Sequence, residues 1–328
     1  MSIIDKLANR RILIVGDVIL DHYLIGKADR ISPEAPVMVI AHEQEDYRLG
    51  GAANVALNVR AMDARPYLVA VVGNDFYGRQ LEHLLAEQGI SAAHLIHDES
   101  RPTTIKTRVL ARHQQLLRYD RESTAAIAPA IEQKIVETIA DLCQREGIET
   151  IVFQDYNKGV LTLSLIAAVL KIAQQHNIAT ITDPKKDNFW AYKGVTLFKP
   201  NLREVNEGIG ANLSERKVDL DELNTAAQRI QHQLNNTYTC ITLGAKGIFV
   251  QTPQGHFHVP TRERAVADVC GAGDTVVSLL ALGLAARLDM QQTVQLANLA
   301  GGQVCEKIGV VPVDKTQLTT EFESESNN

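Results

Sequence analysis

The run Asp268-Val269-Cys270-Gly271-Ala272-Gly273-Asp274 sets two glycines around an alanine and then a carboxylate, at the mouth of an apolar helical stretch, Thr275 to Ala286. Small residues let a turn aim its backbone N–H groups inward, and a helix starting there adds the positive end of its dipole. Such a turn cradles phosphate oxygens. A carboxylate beside a bound phosphate is repelled by it, so the natural task for Asp274 is to take a proton from a group attacking that phosphate. The chemistry indicated is phosphoryl transfer, with the N–H groups of Gly271, Ala272 and Gly273 on the transferring oxygens and Asp274 as base. The plainer alternative is a glycine-rich turn with Asp274 as an ordinary first-turn helix residue.

These residues need elements that bring them together. Arg11 to Val15 is a short apolar run ending at Gly16-Asp17, which predicts a fully buried strand whose carboxyl end meets a ligand. A carboxylate buried there for packing alone would be costly, so Asp17 is expected to face a ligand. The strand-then-helix unit recurs at Tyr67–Val72 with Gly78–Gln88 and at Thr150–Phe153 with Leu163–His176, and Ala179–Thr182, Val195–Phe198 and Tyr238–Thr242 read as further strands. That rhythm predicts an α/β fold, a mostly parallel sheet covered by helices on both faces. Two segments break it, at about 18–48 and 103–120. Ile105-Lys106-Thr107-Arg108-Val109-Leu110 alternates apolar with polar or charged residues, the mark of strands solvated on one face, so the inserts are expected to form a small β-sheet lid. The expected organisation is one domain over 1–320, a polar loop at Ser214–Asp219, and a disordered tail over 321–328.

The chain has 328 residues, 45% of them hydrophobic, enough for one large core. A net charge of −6, from 33 basic and 39 acidic residues with no basic cluster, argues against nucleic-acid binding. Cys143, Cys240, Cys270 and Cys305 form no C-x-x-C pair, so neither a zinc site nor a disulfide framework is expected, and a reducing cytoplasm fits. No apolar run approaches the ~20 residues of a membrane span. The ten histidines show no H-x-x-x-H pair and receive no catalytic part.

Together with a second motif, Gly50-Gly51-Ala52-Ala53-Asn54-Val55-Ala56, the Asp268–Asp274 run resembles the ribokinase (PfkB) family of sugar kinases over most of the chain. Both motifs precede a helix, in the family's order, and Val269 stands where the family usually has threonine. Finer runs resemble the branch of D-glycero-β-D-manno-heptose 7-phosphate kinases: Gly16 to Tyr23, Arg30 to Val37, Asp155 to Thr162, and Asp183-Pro184-Lys185. Gln154 departs from that branch's serine, and Lys186 from its glycine.

The resemblance implies a ribokinase-like fold and ATP-dependent phosphorylation of the C1 hydroxyl of heptose 7-phosphate to the 1,7-bisphosphate, in making ADP-heptose for lipopolysaccharide. It implies Mg²⁺ held through water by Asn201 and Glu204, although their N-x-x-E spacing is equally that of a helix capping box. It places Thr242, Gly244 and Gly247 beside the ATP phosphates and ribose, and Asn298 near the adenine. Asp17, Gly50, Gly51, Asn54, Asp155 and Asp183 would line the sugar. The acceptor's own phosphate needs cations, and Lys106, Arg108, Lys158 and Lys185 are the candidates, Lys158 and Lys185 foremost. A homodimer formed through lid strands is also implied. No H-x-G-H motif follows Lys315, so the chain is expected to stop at the bisphosphate. Other readings are a kinase for a different sugar, or a sugar-sensing kinase homologue without activity, which the presence of Asp274 disfavours. A dinucleotide oxidoreductase is disfavoured because the first strand leads into Gly16-Asp17-Val18 with no G-x-G-x-x-G turn.

Overall fold

Ile12 to Val15 are fully buried, as a strand covered on both faces requires, and form the centre of β1 (Arg11–Gly16) in the computed structural model of the protein. The structure describes residues 2–111, 114–214 and 216–326; Met1, Arg112 and His113 in the second insert, Glu215 in the polar loop, and Asn327 and Asn328 of the tail lie outside the described residues. From β1 the chain passes through Asp17 into β2 (Val18–Ile31), which returns antiparallel as β3 (Met38–Gly51). α1 (Ala52–Ala61), β4 (Arg65–Gly73), α2 (Phe76–Glu87) and β5 (Leu95–Asp98) lead to a second antiparallel pair, β6 (Ile105–Ala111) and β7 (Gln114–Arg121). The alternation resumes with α3 (Pro129–Arg145), β8 (Thr150–Gln154), α4 (Leu163–Gln175), β9 (Ala179–Asp183), β10 (Leu197–Phe198), α5 (Leu202–Ile209), α6 (Leu220–Leu234) and β11 (Tyr238–Thr242). β12 (Ile248–Thr252), β13 (Gly255–Val259), α7 (Ala272–Ala285), α8 (Met290–Val304) and α9 (Lys315–Ser326) follow.

Nine strands form one sheet in the order β13-β12-β11-β10-β9-β8-β1-β4-β5, parallel except for the antiparallel edge that β12 and β13 add to β11. Alternation along β1 serves both faces: Ile12 and Ile14 pack with α1, α7 and α8, while Leu13 and Val15 pack with α3, α4 and α6. The expected mostly parallel α/β sheet is present. The two inserts form a separate four-stranded sheet, β3-β2-β6-β7, in which Ile105, Thr107 and Ala111 are the buried positions of β6 and the alternation lapses at Val109. No helix among the described residues is long and apolar enough to cross a membrane.

Register assembles the site. Gly16 pairs with Gln154, and Gln154 with Asp183, so the last residues of β1, β8 and β9 form one row at the carboxyl edge of the sheet. Two sequence expectations need correction. Only Leu197 and Phe198 of the Val195–Phe198 run join the sheet, because Thr196 and Thr180 exchange side-chain-to-backbone hydrogen bonds in place of ladder bonds. The tail is not disordered as far as Ser326: α9 buries Phe322, and Glu321 pairs with the deeply buried Arg264.

Candidate active site

α7 is apolar and buried almost all round, so packing fixes where it begins. Gly271 caps it at φ 79°, and a Cβ there would lie 2.8 Å from the amide nitrogen of Asn54, so only glycine fits the turn. The N–H groups of the first turn have no intrahelical acceptor, which leaves the Ala272–Gly273 segment as a donor surface; Ala272 leans back on the Val269 carbonyl at 3.4 Å. Asp274, in the first turn, is buried. Its Oδ2 accepts from Asn54 Nδ2 at 2.9 Å, and its Oδ1 from the Tyr156 hydroxyl at 2.7 Å and Gln154 Nε2 at 2.9 Å. Burial pushes its pKa up to about 6 against the pull of those donors, with Asp183 and Asp21 adding to the rise. A carboxylate so tuned is ionised at neutral pH yet basic enough to receive a proton.

Several residues expected to face the sugar are turned elsewhere. Asn54 is fully buried and aimed at Asp274 rather than outward. Asp17 receives three backbone N–H groups, from Tyr156 at 2.8 Å, Lys158 at 3.1 Å and Val160 at 3.3 Å, so it folds the 156–160 loop. Burial, with Asp155 close by, pushes its pKa up to about 6. Asp155 accepts from Asn157 N, Asn188 Nδ2 and the Tyr192 hydroxyl, leaving its carboxylate engaged inside the protein. Gly50 and Gly51 let β3 close on β2: a Cβ on Gly50 would strike the Asp21 carboxylate at 2.1 Å, and one on Gly51 the Asp17 carbonyl at 2.5 Å.

The four candidate cations separate clearly. Arg108 pairs with Asp21, Lys158 with Glu122 at 2.7 Å, and Lys185 with Glu204. Lys106 makes no ion pair among the described residues; its ammonium lies 5.4 Å from the centre of the Tyr156 ring, and burial pulls its pKa below the usual lysine value. Lys185 lies over the same ring at 5.4 Å, between the carboxylates. Burial opposes its charge, but Asp183 and Glu204 hold its pKa above the usual lysine value. It therefore sits among Asp183, Glu204 and Asp274, paired rather than free, whereas Lys106 stands on the lid strand β6.

On that side Asn201 and Glu204 complete a capping box at the start of α5, each side chain accepting from the other's backbone N–H at 2.8 Å. Burial and Asp183 push Glu204 up, against Lys185 and Lys199. Asp183 pairs with buried Lys199 at 3.1 Å. Thr242 and Gly244 line a cleft of about 390 Å³ between the turn after β11 and the start of α6, and Gly247 closes that turn. Asn298 does not face this cleft: it donates to the Pro260 carbonyl at 2.9 Å and accepts from Thr261 at 3.1 Å, pinning the loop after β13.

Gln154 and Tyr156 are functional candidates that the motifs did not single out. Both touch Asp274 while Asp155 between them points away, an alternation readable from the strand end.

The chain matches the pfkB family carbohydrate kinase description over residues 9–316. It belongs to the pfkB family. It is 39% identical to a D-beta-D-heptose 7-phosphate kinase of Bordetella bronchiseptica, covering 97% of each chain. It is 38% identical to a bifunctional protein HldE of Methylobacillus flagellatus, covering 96% of this chain but 64% of that one. The chain thus spans under two thirds of such bifunctional relatives. Phosphofructokinase-2 from Escherichia coli, solved with substrates and products, shares the fold at a TM-score of 0.80 and 19% identity, covering 97% of this chain and 100% of that one. A ribokinase from Thermotoga maritima does so at 0.69 and 18%, covering 95% and 99%. As a pfkB member the chain has the expected ribokinase-like fold.

Proposed function

We propose that this carbohydrate kinase transfers the γ-phosphoryl group of ATP to the C1 hydroxyl of D-glycero-D-manno-heptose 7-phosphate, giving the 1,7-bisphosphate for ADP-heptose synthesis. The observation that carries the mechanism is the buried carboxylate of Asp274 beside the open N–H groups of the α7 start. Asp274 takes the hydroxyl proton as the oxygen attacks, and the Gly271–Gly273 turn holds the phosphoryl oxygens. Lys185, beside Asp183 and Glu204, offsets phosphoryl charge. The heptose phosphate rests on the 39% identity to the Bordetella kinase, with Lys106 as the cation left available to the acceptor's phosphate.

Mg²⁺ fits the same region. Glu204 and Asp183 are neighbouring buried carboxylates whose mutual repulsion a divalent ion relieves, and Mg²⁺ needs only one or two carboxylates besides water and phosphate oxygens. Asn201 and Glu204 would hold it through water, and its chemistry would be charge neutralisation at the phosphates. The cleft beside Thr242 and Gly244 is the proposed nucleotide seat. The chain over 1–320 acts as one kinase unit with its lid, in the cytoplasm. Exposed Ile31, Val37, Met38, Leu117 and Tyr119 on or between the lid strands support a homodimer formed through that sheet. Purified enzyme with ATP and heptose 7-phosphate should yield the bisphosphate by mass spectrometry. Equal or better turnover of fructose 6-phosphate, ribose or unphosphorylated heptose would sink the assigned acceptor.

A further inference from the structure

The three donors on Asp274 differ in whether they can reverse. Asn54 cannot: its Oδ1 accepts from Asn58 Nδ2 at 3.1 Å, and Asn58 Oδ1 in turn accepts from Val313 N at 2.9 Å, which fixes the direction of both amides. Gln154 is fully buried at the end of β8. Its Nε2 donates to Asp274 Oδ1 and lies 3.5 Å from Asp183 Oδ2, while its Oε1 is buried with no hydrogen-bond partner. A buried amide oxygen left without a donor is costly and calls for a reason.

We infer that Gln154 is a positioning residue whose amide follows the proton on Asp274, turning Nε2 to the carboxylate before transfer and Oε1 to the carboxylic acid after it. This rests on the reading of Asp274 as base. In the step, the acceptor oxygen bonds to the γ-phosphorus, and the bond from that phosphorus to the β–γ bridging oxygen breaks, its electron pair leaving on ADP. The hydroxyl proton passes to Asp274. Once the ester product departs, the new O–H loses the oxygen it came from and needs another acceptor. Asn54 is locked as a donor, whereas a half-turn of the Gln154 amide supplies its idle oxygen, and the Tyr156 hydroxyl can rotate with it. Asp183 at the end of β9, Asp21 on β2, and Lys185 beyond β9 also face Asp274; the first two disfavour its charge, Lys185 favours it, and all three remain when Gln154 is changed.

The test is the pH profile of Gln154→Met, which keeps length and bulk but neither polar atom. The carboxylate then loses a charge-assisted donor, so the acid limb of kcat/KM should move up by about 0.5–1 pH unit, with kcat lowered about 10-fold and KM for ATP unchanged. In wild-type enzyme labelled with ¹⁵N-glutamine, the Gln154 side-chain amide resonance should titrate with the midpoint of that limb. A limb left in its wild-type position, or an amide resonance flat across it, overturns the inference; if the variant does not fold, the wild-type titration decides alone. Should Asp274→Asn stay active, the base reading itself fails. Should Asp274→Asn be inactive while the Gln154→Met limb stays put, only the role of Gln154 falls.

Discussion

Asp17 and Asp274 stand at the same edge of the sheet, are buried to the same degree, and are both pushed up to about 6. Their partners differ in kind. Asp17 is met by three backbone N–H groups of one loop, which cannot reverse and cannot leave without unfolding that loop. Asp274 is met by an amide, a phenol and a second amide, all side chains, and two of these can exchange donor for acceptor. Burial and pKa alone therefore do not separate a residue that organises a site from the proposed base. What differs is whether the donors can reverse.

The comparison breaks first at Asp274→Asn, which removes the proton acceptor at constant size. Turnover should fall by about 10²-fold or more with nucleotide binding nearly unchanged, measured by steady-state kinetics and ATP-analogue titration. Retention of half the wild-type kcat would make the two aspartates equivalent organisers. Next, the two lysines flanking Tyr156 should part company. Lys106→Met should raise KM for the sugar phosphate by about 10-fold and leave KM for ATP alone, whereas Lys185→Met should lower kcat instead. Asp17→Asn should act more mildly, raising acceptor KM by about 5-fold, with faster amide hydrogen exchange in 156–160 as the sign of a loosened loop. The subtlest expectation concerns pH. Asp274 is a working base only when ionised, and its pKa is raised from 3.8 to about 6, so kcat/KM should be level above that value and fall as pH drops through it. That limb should persist unmoved in Asp17→Asn, because the group that titrates there still loses its proton to the same surroundings.

The sheet was legible because fully buried parallel strands are written as unbroken aliphatic runs, and the lid because Ile105–Leu110 alternates. The anion turn and its carboxylate were legible because glycine, alanine and glycine before a helix leave few other uses. What the sequence hides is direction and distant pairing. Nothing local says that Asn54 aims at a carboxylate 220 positions away, or that Arg108 is matched to Asp21 across 87. Lys185 reads as a free cation until β9 and α5 set it beside Glu204. The last helix hides in the sequence because its polar composition resembles a tail; its order comes from the burial of Leu318 and Phe322 in the core and from the pairing of Glu321 with Arg264.

The lid's two longest strands leave the core without a joint. β2 starts one residue after Asp17, β3 ends at Gly51, and the Ala52 N–H ties that end to the Asp17 carbonyl at 2.9 Å. Such a ribbon is a cantilever, clamped at its root and free at a tip carrying Ile31 and Met38, with 14 residues per strand spanning roughly 40 Å. A cantilever bends along its length, so a grip on the tip would act on the lid with a long lever arm and leave the clamped end still. Association through the tips would therefore set how fast ligands enter and leave, and leave the rate of bond breaking to the root.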